Sequence, residues 1–180
     1  MPGSTDEKIM HRVKDGHLSE LSVLFGRYHV KLYNFFLRLT FDPVISEDLT
    51  QTLFYRIIRY RHTFDASAGD FRSWMYRIAR NTHLDFCKER RSYPQPLRQD
   101  GEMHDLPSGG QEEYEEDDFE KLDRALGLLE PDQREIIVLS RYQGLTYEEI
   151  ARMHDLTVAA VKVRMHRAIH QLRKLYFKQQ

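Results

Sequence analysis

The sequence predicts an all-α protein made of two small helical domains joined by an acidic, flexible linker. Apolar residues recur at spacings of three and four along most of the chain, and strand-like alternation is absent. The net charge of -1 conceals three blocks: residues 1–92 carry fifteen Lys and Arg against eleven Asp and Glu, residues 93–120 carry one against ten, and residues 121–180 carry eleven against seven. Because Pro and Gly cluster in the acidic block, we predict domains at 1–92 and 119–180 and a linker at 93–118.

Three helices are predicted in the first domain. The first ends at Asp42-Pro43, since the residue before a proline disfavours helix. Its apolar residues are Leu21, Leu24, Phe25, Tyr28, Leu32, Phe35, Phe36 and Leu39. Ser46 is a candidate N-cap for the second helix. The core face of that helix is Leu49, Leu53, Ile57 and Tyr60. Residues 63–69 form a loop, and the third helix starts at about Asp70. Its buried stripe is Phe71, Trp74, Met75, Ile78, Ala79, Thr82 and Phe86.

The second domain is predicted to hold four short helices. The first carries Leu122, Ala125, Leu126 and Leu129 in helical register. Pro131 suits the first turn of the next helix, which runs through Ile136 to Leu139, and Gly144 suits its C-terminal end. The core of this domain is predicted to contain Leu126, Ile137, Leu145, Ile150 and Val161.

The last two helices have the pattern of a helix-turn-helix. Thr146 with Glu149 three residues later forms a capping box, residues 154–156 form the turn, and Thr157 caps the second helix. The buried stripe of that helix is Val161, Met165, Ala168, Ile169 and Leu172, and its other face holds Lys162, Arg164, His166 and Arg167. Arg and Lys can reach both phosphates and guanine edges, so this helix is expected to enter a DNA major groove. A merely solvated basic helix is the alternative.

The chain as a whole is predicted to be globular and cytoplasmic. Its 41% hydrophobic and 12% aromatic content excludes wholesale disorder. No apolar run approaches the ~20 residues that span a bilayer, and the N-terminus has no apolar signal core. The single cysteine, Cys87, cannot form an internal disulfide.

Catalysis, cofactors and metals are not expected. The sequence holds no phosphate-cradling glycine loop, nucleophile elbow or paired carboxylates on a plausible scaffold, so the chain is predicted not to be an enzyme. His83 with Cys87, and His166 with His170, are one helical turn apart, but neither pair has the further ligands that zinc needs.

The predicted loop and third helix of the first domain suit single-stranded DNA. They place Phe64, Phe71, Trp74 and Tyr76 close to several arginines in sequence. Aromatic faces accept unstacked bases at ~1–3 kcal/mol each, and Arg contacts phosphates. Phe71 and Trp74 also lie on the buried stripe, so these two are expected in the core.

Three segments together resemble the extracytoplasmic-function sigma factors of bacterial RNA polymerase. Residues 46–65 look like the core-polymerase-binding segment of that family, residues 71–91 look like its promoter-melting segment, and residues 129–174 are similar to its region four. The resemblance implies that domain 1–92 is region two and domain 119–180 is region four. It implies as partners the β' clamp of core polymerase, promoter DNA and an anti-sigma factor.

The resemblance also implies three sets of site residues. Polymerase docking falls on Asp48, Gln51, Thr52, Tyr55 and Arg56. Recognition and melting of the -10 element fall on Phe64, Ser67, Arg77, Arg80, Asn81, Lys88, Arg90 and Arg91, with Phe64, Ser67 and Asn81 around a flipped base. Recognition of the -35 element falls on Thr157, Ala159, Ala160, Lys162, Val163, Arg164, His166 and Arg167.

Two alternatives remain open from the sequence. The chain is a stand-alone helix-turn-helix repressor or activator if the first domain serves sensing or dimerisation. The acidic linker either folds across a DNA-binding face and weakens DNA binding, or acts as a solubilising tether.

Overall fold

The computed structural model describes residues 5–92 and 116–178, and every regular element within these ranges is helical, which confirms the predicted all-α class. The α-helices are α1 Asp6–Lys14, α2 Leu21–Thr40, α3 Pro43–Tyr60, α4 Phe71–Ser92, α5 Glu116–Gly127, α6 Pro131–Ile137, α7 Tyr147–His154 and α8 Val158–Phe177. No helix in the described ranges is long and apolar enough to cross a membrane.

The described residues group into two compact units. The first contains residues 5–36 and 44–92, and the second contains residues 37–43 and 116–178. The segment Leu37–Pro43, which the sequence analysis placed in the first domain, thus groups with the second unit. Most of the predicted linker lies outside the described residues, but α5 starts at Glu116, so the last three residues of that linker are helical.

Helix α1 is an element that the sequence analysis missed. Thr5 caps it by accepting a hydrogen bond from the backbone N–H of Lys8. Its buried residues, Ile9, Met10 and Val13, are at most 1% exposed. Three apolar residues within nine positions are too few to distinguish an amphipathic helix from a loop by periodicity.

The buried stripe of α2 is confirmed except at Phe25, whose side chain is 45% exposed. Two expectations for α3 are wrong, namely that Ser46 is its N-cap and that Tyr60 lies on its core face. Pro43 begins the helix, where its missing N–H costs nothing, and Ser46 is a fully buried residue inside the helix rather than its cap. Tyr60 is 42% exposed, whereas Leu49, Leu53 and Ile57 are buried as predicted.

Helix α4 is the longest helix of the first unit. A 3-10 turn over Arg61–Thr63 precedes it, so the loop begins at Phe64 rather than at Thr63. Five residues of its predicted stripe are buried, namely Phe71, Met75, Ile78, Ala79 and Thr82. Trp74 and Phe86 are only half-buried; Trp74 lies at the edge of this stripe, whereas Phe86 lies one turn beyond its last buried residue, Thr82.

The second unit is built around α8, which packs against α5, α6 and α7. The five predicted core residues are each at most 3% exposed, namely Leu126, Ile137, Leu145, Ile150 and Val161. Helix α6 ends at Ile137, two residues earlier than predicted, because the chain widens into a π-helix over Val138–Tyr142. Gly144 then turns the chain with a φ of 66°.

Arg134 ties α6 to the end of α5. Its Nε donates to the carbonyl oxygen of Leu126 at 2.9 Å, and its Nη2 donates to those of Gly127 and Leu129 at 2.6 and 3.1 Å. The guanidinium thus satisfies two carbonyls of the last turn of α5, those of Leu126 and Gly127, and the carbonyl of Leu129 in the connection to α6. Burial lowers the pKa of Arg134 below its ordinary value.

Candidate nucleic-acid interface

Local hydrogen bonds set the geometry of the helix-turn-helix. Thr146 and Glu149 form the predicted capping box: Glu149 N donates to Thr146 Oγ1 at 3.2 Å, and Thr146 N donates to Glu149 Oε2 at 2.6 Å. Asp155 makes the turn in the left-handed conformation with a φ of 55°. Thr157 then caps α8 by accepting from Ala160 N at 3.1 Å. The two predicted N-caps are therefore confirmed.

A buried pair holds the end of α7 against α6. The Nε2 atom of His154 lies 3.7 Å from Oε2 of Glu135, and both side chains are at most 7% exposed. This contact lies beneath the turn, whereas Asp155 is exposed.

The outward side of α8 carries the residues expected to contact the -35 element, and we call it the recognition face. Its members are Thr157, Ala159, Ala160, Lys162, Val163, Arg164, His166 and Arg167. All are exposed except Ala160, which is half-buried. The buried side holds Val161, Met165 and Ala168, so helical periodicity points the recognition face away from the core.

The uncharged and the cationic side chains occupy different parts of the recognition face. At 3.6 residues per turn, Ala159, Val163 and His166 lie along its middle, with Lys162 and Arg164 at opposite edges. Val163 is an apolar side chain that is 50% exposed. Neither Lys162 nor Arg164 forms an ion pair with another described residue, so both cations are available to phosphates.

Three further bases extend this face, and the sequence analysis missed them. His170, Arg173 and Lys174 are exposed and follow His166 and Arg167 at spacings of three, four and seven. These spacings repeat on one side of a helix, so the basic surface continues for about two more turns. The same periodicity was available from the sequence beyond Arg167.

The loop between the 3-10 turn and α4 places two predicted site residues differently. Phe64 is only 2% exposed and packs against Phe71 and Trp74, with ring centroids 6.1 and 5.5 Å apart. The ring of Phe64 is therefore not exposed at the surface of the loop, and its place around a flipped base stays a prediction. Ser67 is exposed at the tip of the loop.

Ser67 is held by Asp65. Its backbone N–H and its hydroxyl both donate to Oδ1 of Asp65, at 2.9 and 2.8 Å. These two hydrogen bonds lower the pKa of Asp65, since they stabilise the carboxylate. The hydroxyl oxygen of Ser67 is thereby oriented and remains able to accept a hydrogen bond.

The outward side of α4 gathers most of the remaining -10 residues, and we call it the melting face. By helical periodicity it contains Arg77, Arg80, Asn81, Lys88 and Arg91. Arg77, Asn81, Lys88 and Arg91 are exposed, and Arg80 is half-buried. Arg90 lies on the opposite side of the helix, with its guanidinium carbon 5.9 Å from the ring centroid of Phe86. The structure thus separates Arg90 from the other predicted phosphate contacts.

The predicted polymerase-binding residues share one face of α3, which we call the docking face. Asp48, Gln51, Thr52 and Tyr55 are exposed, and Tyr55 is 64% exposed. Arg56 is half-buried and forms an ion pair with Asp85 of α4 at 2.7 Å. Their spacings of three and four make this a continuous stripe.

Cys87 is half-buried, with its Sγ 3.6 Å from Nε2 of His83. Among the described residues, no group of three or more His, Cys, Asp or Glu side chains is arranged to hold a metal ion. The contact is a local one across a single turn of α4.

Comparison with known families matches both units. Residues 24–93 match the model for sigma-70 region 2, and residues 119–172 match the model for sigma-70 region 4. The two matches follow the order that the sequence resemblance implies, so a stand-alone repressor or activator is not favoured.

Relatives extend the match along nearly the whole chain. The RNA polymerase sigma factor CarQ of Myxococcus xanthus is 28% identical over 167 residues, which is 92% of this chain and 94% of CarQ. The ECF RNA polymerase sigma factor SigX of Bacillus subtilis is 28% identical over 160 residues, which is 84% of this chain and 81% of SigX.

Solved structures share the fold. CnrH, in its complex with the cytosolic domain of CnrY, has a TM-score of 0.72 at 22% identity, covering 98% of this chain and 100% of CnrH. RpoE of Bartonella quintana, in its complex with the anti-sigma factor NepR, has a TM-score of 0.70 at 22% identity, covering 87% of this chain and 96% of RpoE. From the family models and the relatives, the chain belongs to the extracytoplasmic-function sigma factors of RNA polymerase, within the sigma-70 family.

Proposed function

We propose that this chain docks on core polymerase through α3, reads the -35 element through α8, and opens the -10 element with α4 and the loop before it. The observation that carries this proposal is the recognition face, where bases surround an exposed Val163 on a helix that a capped turn presents to solvent. Apolar side chains contact thymine methyl groups, and Arg or Lys contact guanine edges and phosphates. His170, Arg173 and Lys174 join this face as additional phosphate contacts.

For the -10 element, we assign different roles to the loop and to α4. Ser67 and Asn81 are the base contacts, because both are exposed and polar. Arg77, Arg80, Lys88 and Arg91 contact phosphates along the melting face. Phe64 supports the loop from below instead of stacking on DNA, and Arg90 belongs to another side of α4.

We assign the docking face of α3 as the surface that binds the β' clamp of polymerase. Tyr55 is the aromatic side chain of this face, and it is exposed in the free chain. Tyrosines that become buried when an interface forms often contribute strongly to binding. The chain then supplies promoter specificity while bond formation belongs to the polymerase, in the bacterial cytoplasm where polymerase and promoters are found. Because RpoE and CnrH were solved with NepR and CnrY, respectively, we also propose that an anti-sigma factor sequesters this chain.

Run-off transcription with reconstituted holoenzyme tests the proposal. Promoters are first selected from a random duplex library by the holoenzyme. Tyr55→Ala is expected to weaken core binding by roughly thirtyfold or more, the effect of removing an interface side chain worth ~2 kcal/mol. The control is Tyr60→Ala, since Tyr60 is also an exposed tyrosine of α3 but lies one turn beyond Arg56, outside the set of residues that defines the docking face.

Two results would contradict the proposal. One is tight duplex binding by the free chain together with no initiation by holoenzyme at any selected promoter. The other is equal core affinity of the Tyr55 and Tyr60 variants, which would remove the docking face from the polymerase interface.

A further inference from the structure

Helix α1 holds both ends of the loop that precedes α4. The Nζ atom of Lys14 donates to the carbonyl oxygen of Phe64 at 2.9 Å, across fifty residues of sequence. At the other end of the loop, Oε1 of Glu7 accepts from the backbone N–H of Phe71 at 3.2 Å. The helix also packs against the 3-10 turn and against α4. Helix α1 therefore forms hydrogen bonds with both ends of the loop, at Phe64 and at Phe71.

The two anchored backbone groups belong to residues with buried side chains. Phe64 is 2% exposed and Phe71 is fully buried. Between them, residues 65–68 are exposed. With both ends fixed in position and direction, few conformations remain for the intervening residues, and Ser67 is presented from a restrained turn.

The charges of α1 reinforce this arrangement at each end. Lys14 and His11 lie near Asp65, and together with the larger effect of the Ser67 hydrogen bonds they favour its carboxylate form and lower its pKa. At the start of α4, Asp70 Oδ1 accepts from Ser73 N at 2.8 Å while Glu7 accepts from Phe71 N. Two carboxylates thus satisfy N–H groups that would otherwise have no intrahelical partner.

Helix α1 is itself fixed to α2, so it can act as a rigid support. Asp6 accepts a hydrogen bond from the hydroxyl of Tyr28 and forms an ion pair with Arg27. Arg12 forms a second ion pair with Glu20 at 3.2 Å, just before α2. With three buried apolar residues facing the core, α1 has little freedom to slide along the unit.

We propose that Lys14 and Glu7 are positioning residues for -10 recognition, holding the loop so that Ser67 meets the unstacked base in one orientation. The inference rests on the proposed function of the loop, and it assigns α1 a role in base selection without any contact to DNA. Lys14 acts through the Phe64 carbonyl, and Glu7 acts through the first N–H of α4.

The test compares Lys14→Met with Lys8→Met in reconstituted holoenzyme. Lys8 is an exposed residue of the same helix, so both variants lose one positive charge but only the first loses the hydrogen bond to the loop. The probes are four fluorescein-labelled single strands that carry the selected -10 sequence with A, C, G or T at the flipped position. Lys14→Arg, which keeps a donor, and Glu7→Met, which removes the acceptor for Phe71 N, complete the set.

Lys14→Met is expected to lower the affinity ratio between the preferred base and the other three by roughly three- to tenfold, the range for the net contribution of one hydrogen bond. Lys14→Arg restores most of the ratio because it keeps a donor. Lys8→Met leaves the ratio unchanged. In the free protein, amide exchange of residues 65–70 increases in Lys14→Met and in Glu7→Met, while exchange in α2 does not change.

Two outcomes separate this inference from the proposed function. If wild-type holoenzyme prefers one base, and Lys14→Met keeps that preference with unchanged exchange in the loop, the positioning role is wrong while the function of the loop stands. If wild-type holoenzyme shows no base preference on these strands, both the inference and the assigned -10 role are wrong. If Lys14→Met does not fold, the comparison moves to Glu7→Met, and an unchanged base ratio together with unchanged exchange of residues 65–70 in that variant would overturn the inference.

Discussion

Arg56 of α3 donates a hydrogen bond from Nη1 to Oδ2 of Asp85 of α4, with 2.7 Å between the two atoms. Arg56 is the innermost residue of the docking face, and Asp85 belongs to the helix that carries the melting face. The ion pair therefore links the helix proposed to bind polymerase to the helix proposed to bind the -10 element.

Asp85→Asn is expected to reduce the free energy of unfolding by less than about 1 kcal/mol, because the Asp85 side chain is 44% exposed and water screens the pair. Urea denaturation at low and high salt measures this loss, which should shrink as salt increases. Glu89→Gln is the control, since it removes the same charge from an exposed position of α4. A loss above about 2 kcal/mol would show that the pair is far better shielded from water than the structure indicates.

Ser67→Ala is expected to raise the pKa of Asp65 towards its ordinary value. The largest cause of the lowered pKa is the hydrogen bond from the Ser67 hydroxyl, and the alanine variant keeps only the backbone bond. A carboxyl with a lowered folded-state pKa stabilises the protein above its unfolded pKa and loses that contribution as pH falls through the folded value. The variant should therefore have a smaller stabilising contribution to lose on acidification.

The carboxyl carbon shift of Asp65 as a function of pH measures this change. Ser22→Ala serves as the control, because the Ser22 hydroxyl donates to the carbonyl oxygen of Ser19. Identical Asp65 titrations in the wild type and in Ser67→Ala would contradict the hydrogen-bonded turn.

Thr146→Ala is expected to destabilise α7 by about 1 kcal/mol, the usual effect of losing an N-cap hydroxyl. The variant loses the bond from Glu149 N to Thr146 Oγ1, whereas Thr146→Ser keeps a hydroxyl there and should stay close to wild type. Amide exchange within α7 is the suitable measurement, since the only tryptophan, Trp74, lies in the first unit. Equal protection of α7 in the alanine and serine variants would contradict a stabilising role for this cap.

Arg167→Ala is expected to weaken binding to a duplex carrying the selected -35 element and to reduce the salt dependence of that binding. Losing one phosphate contact lowers the slope of log K against log salt by about 0.9. Arg124→Ala is the matched control, because Arg124 lies on α5 outside the recognition face. An unchanged slope in Arg167→Ala would leave Arg167 as a base contact or as no contact at all.

Local signals in the sequence predicted the helix-turn-helix well. The capping box at Thr146 and the N-cap at Thr157 each join groups that are three residues apart. Their hydrogen bonds can therefore be predicted from the local sequence. The core positions of the second unit were also predictable, since apolar spacing reports which side of a helix is buried. Ser46 failed as a cap because Pro43, three residues earlier, already begins α3.

Burial of Phe64 was not predictable in the same way. An aromatic residue beside arginines fits a base-stacking surface as well as it fits a core, and its sequence neighbours do not distinguish the two. The ring is covered by Phe71 and Trp74, which are seven and ten residues away. The assignment thus depended on how the loop folds back onto α4.

The amino-acid sequence alone was sufficient for the helical class, the paired caps, the basic side of α8 and the family, because each depends on short spacings or on residue order. Tertiary packing was needed to reveal α1 as a support, to bury Phe64 and to pair Arg56 with Asp85. Each of these depends on contacts between residues far apart in the chain or on the side of a helix that the core covers. Such contacts form only when whole helices pack, and helical periodicity does not specify which helix meets which.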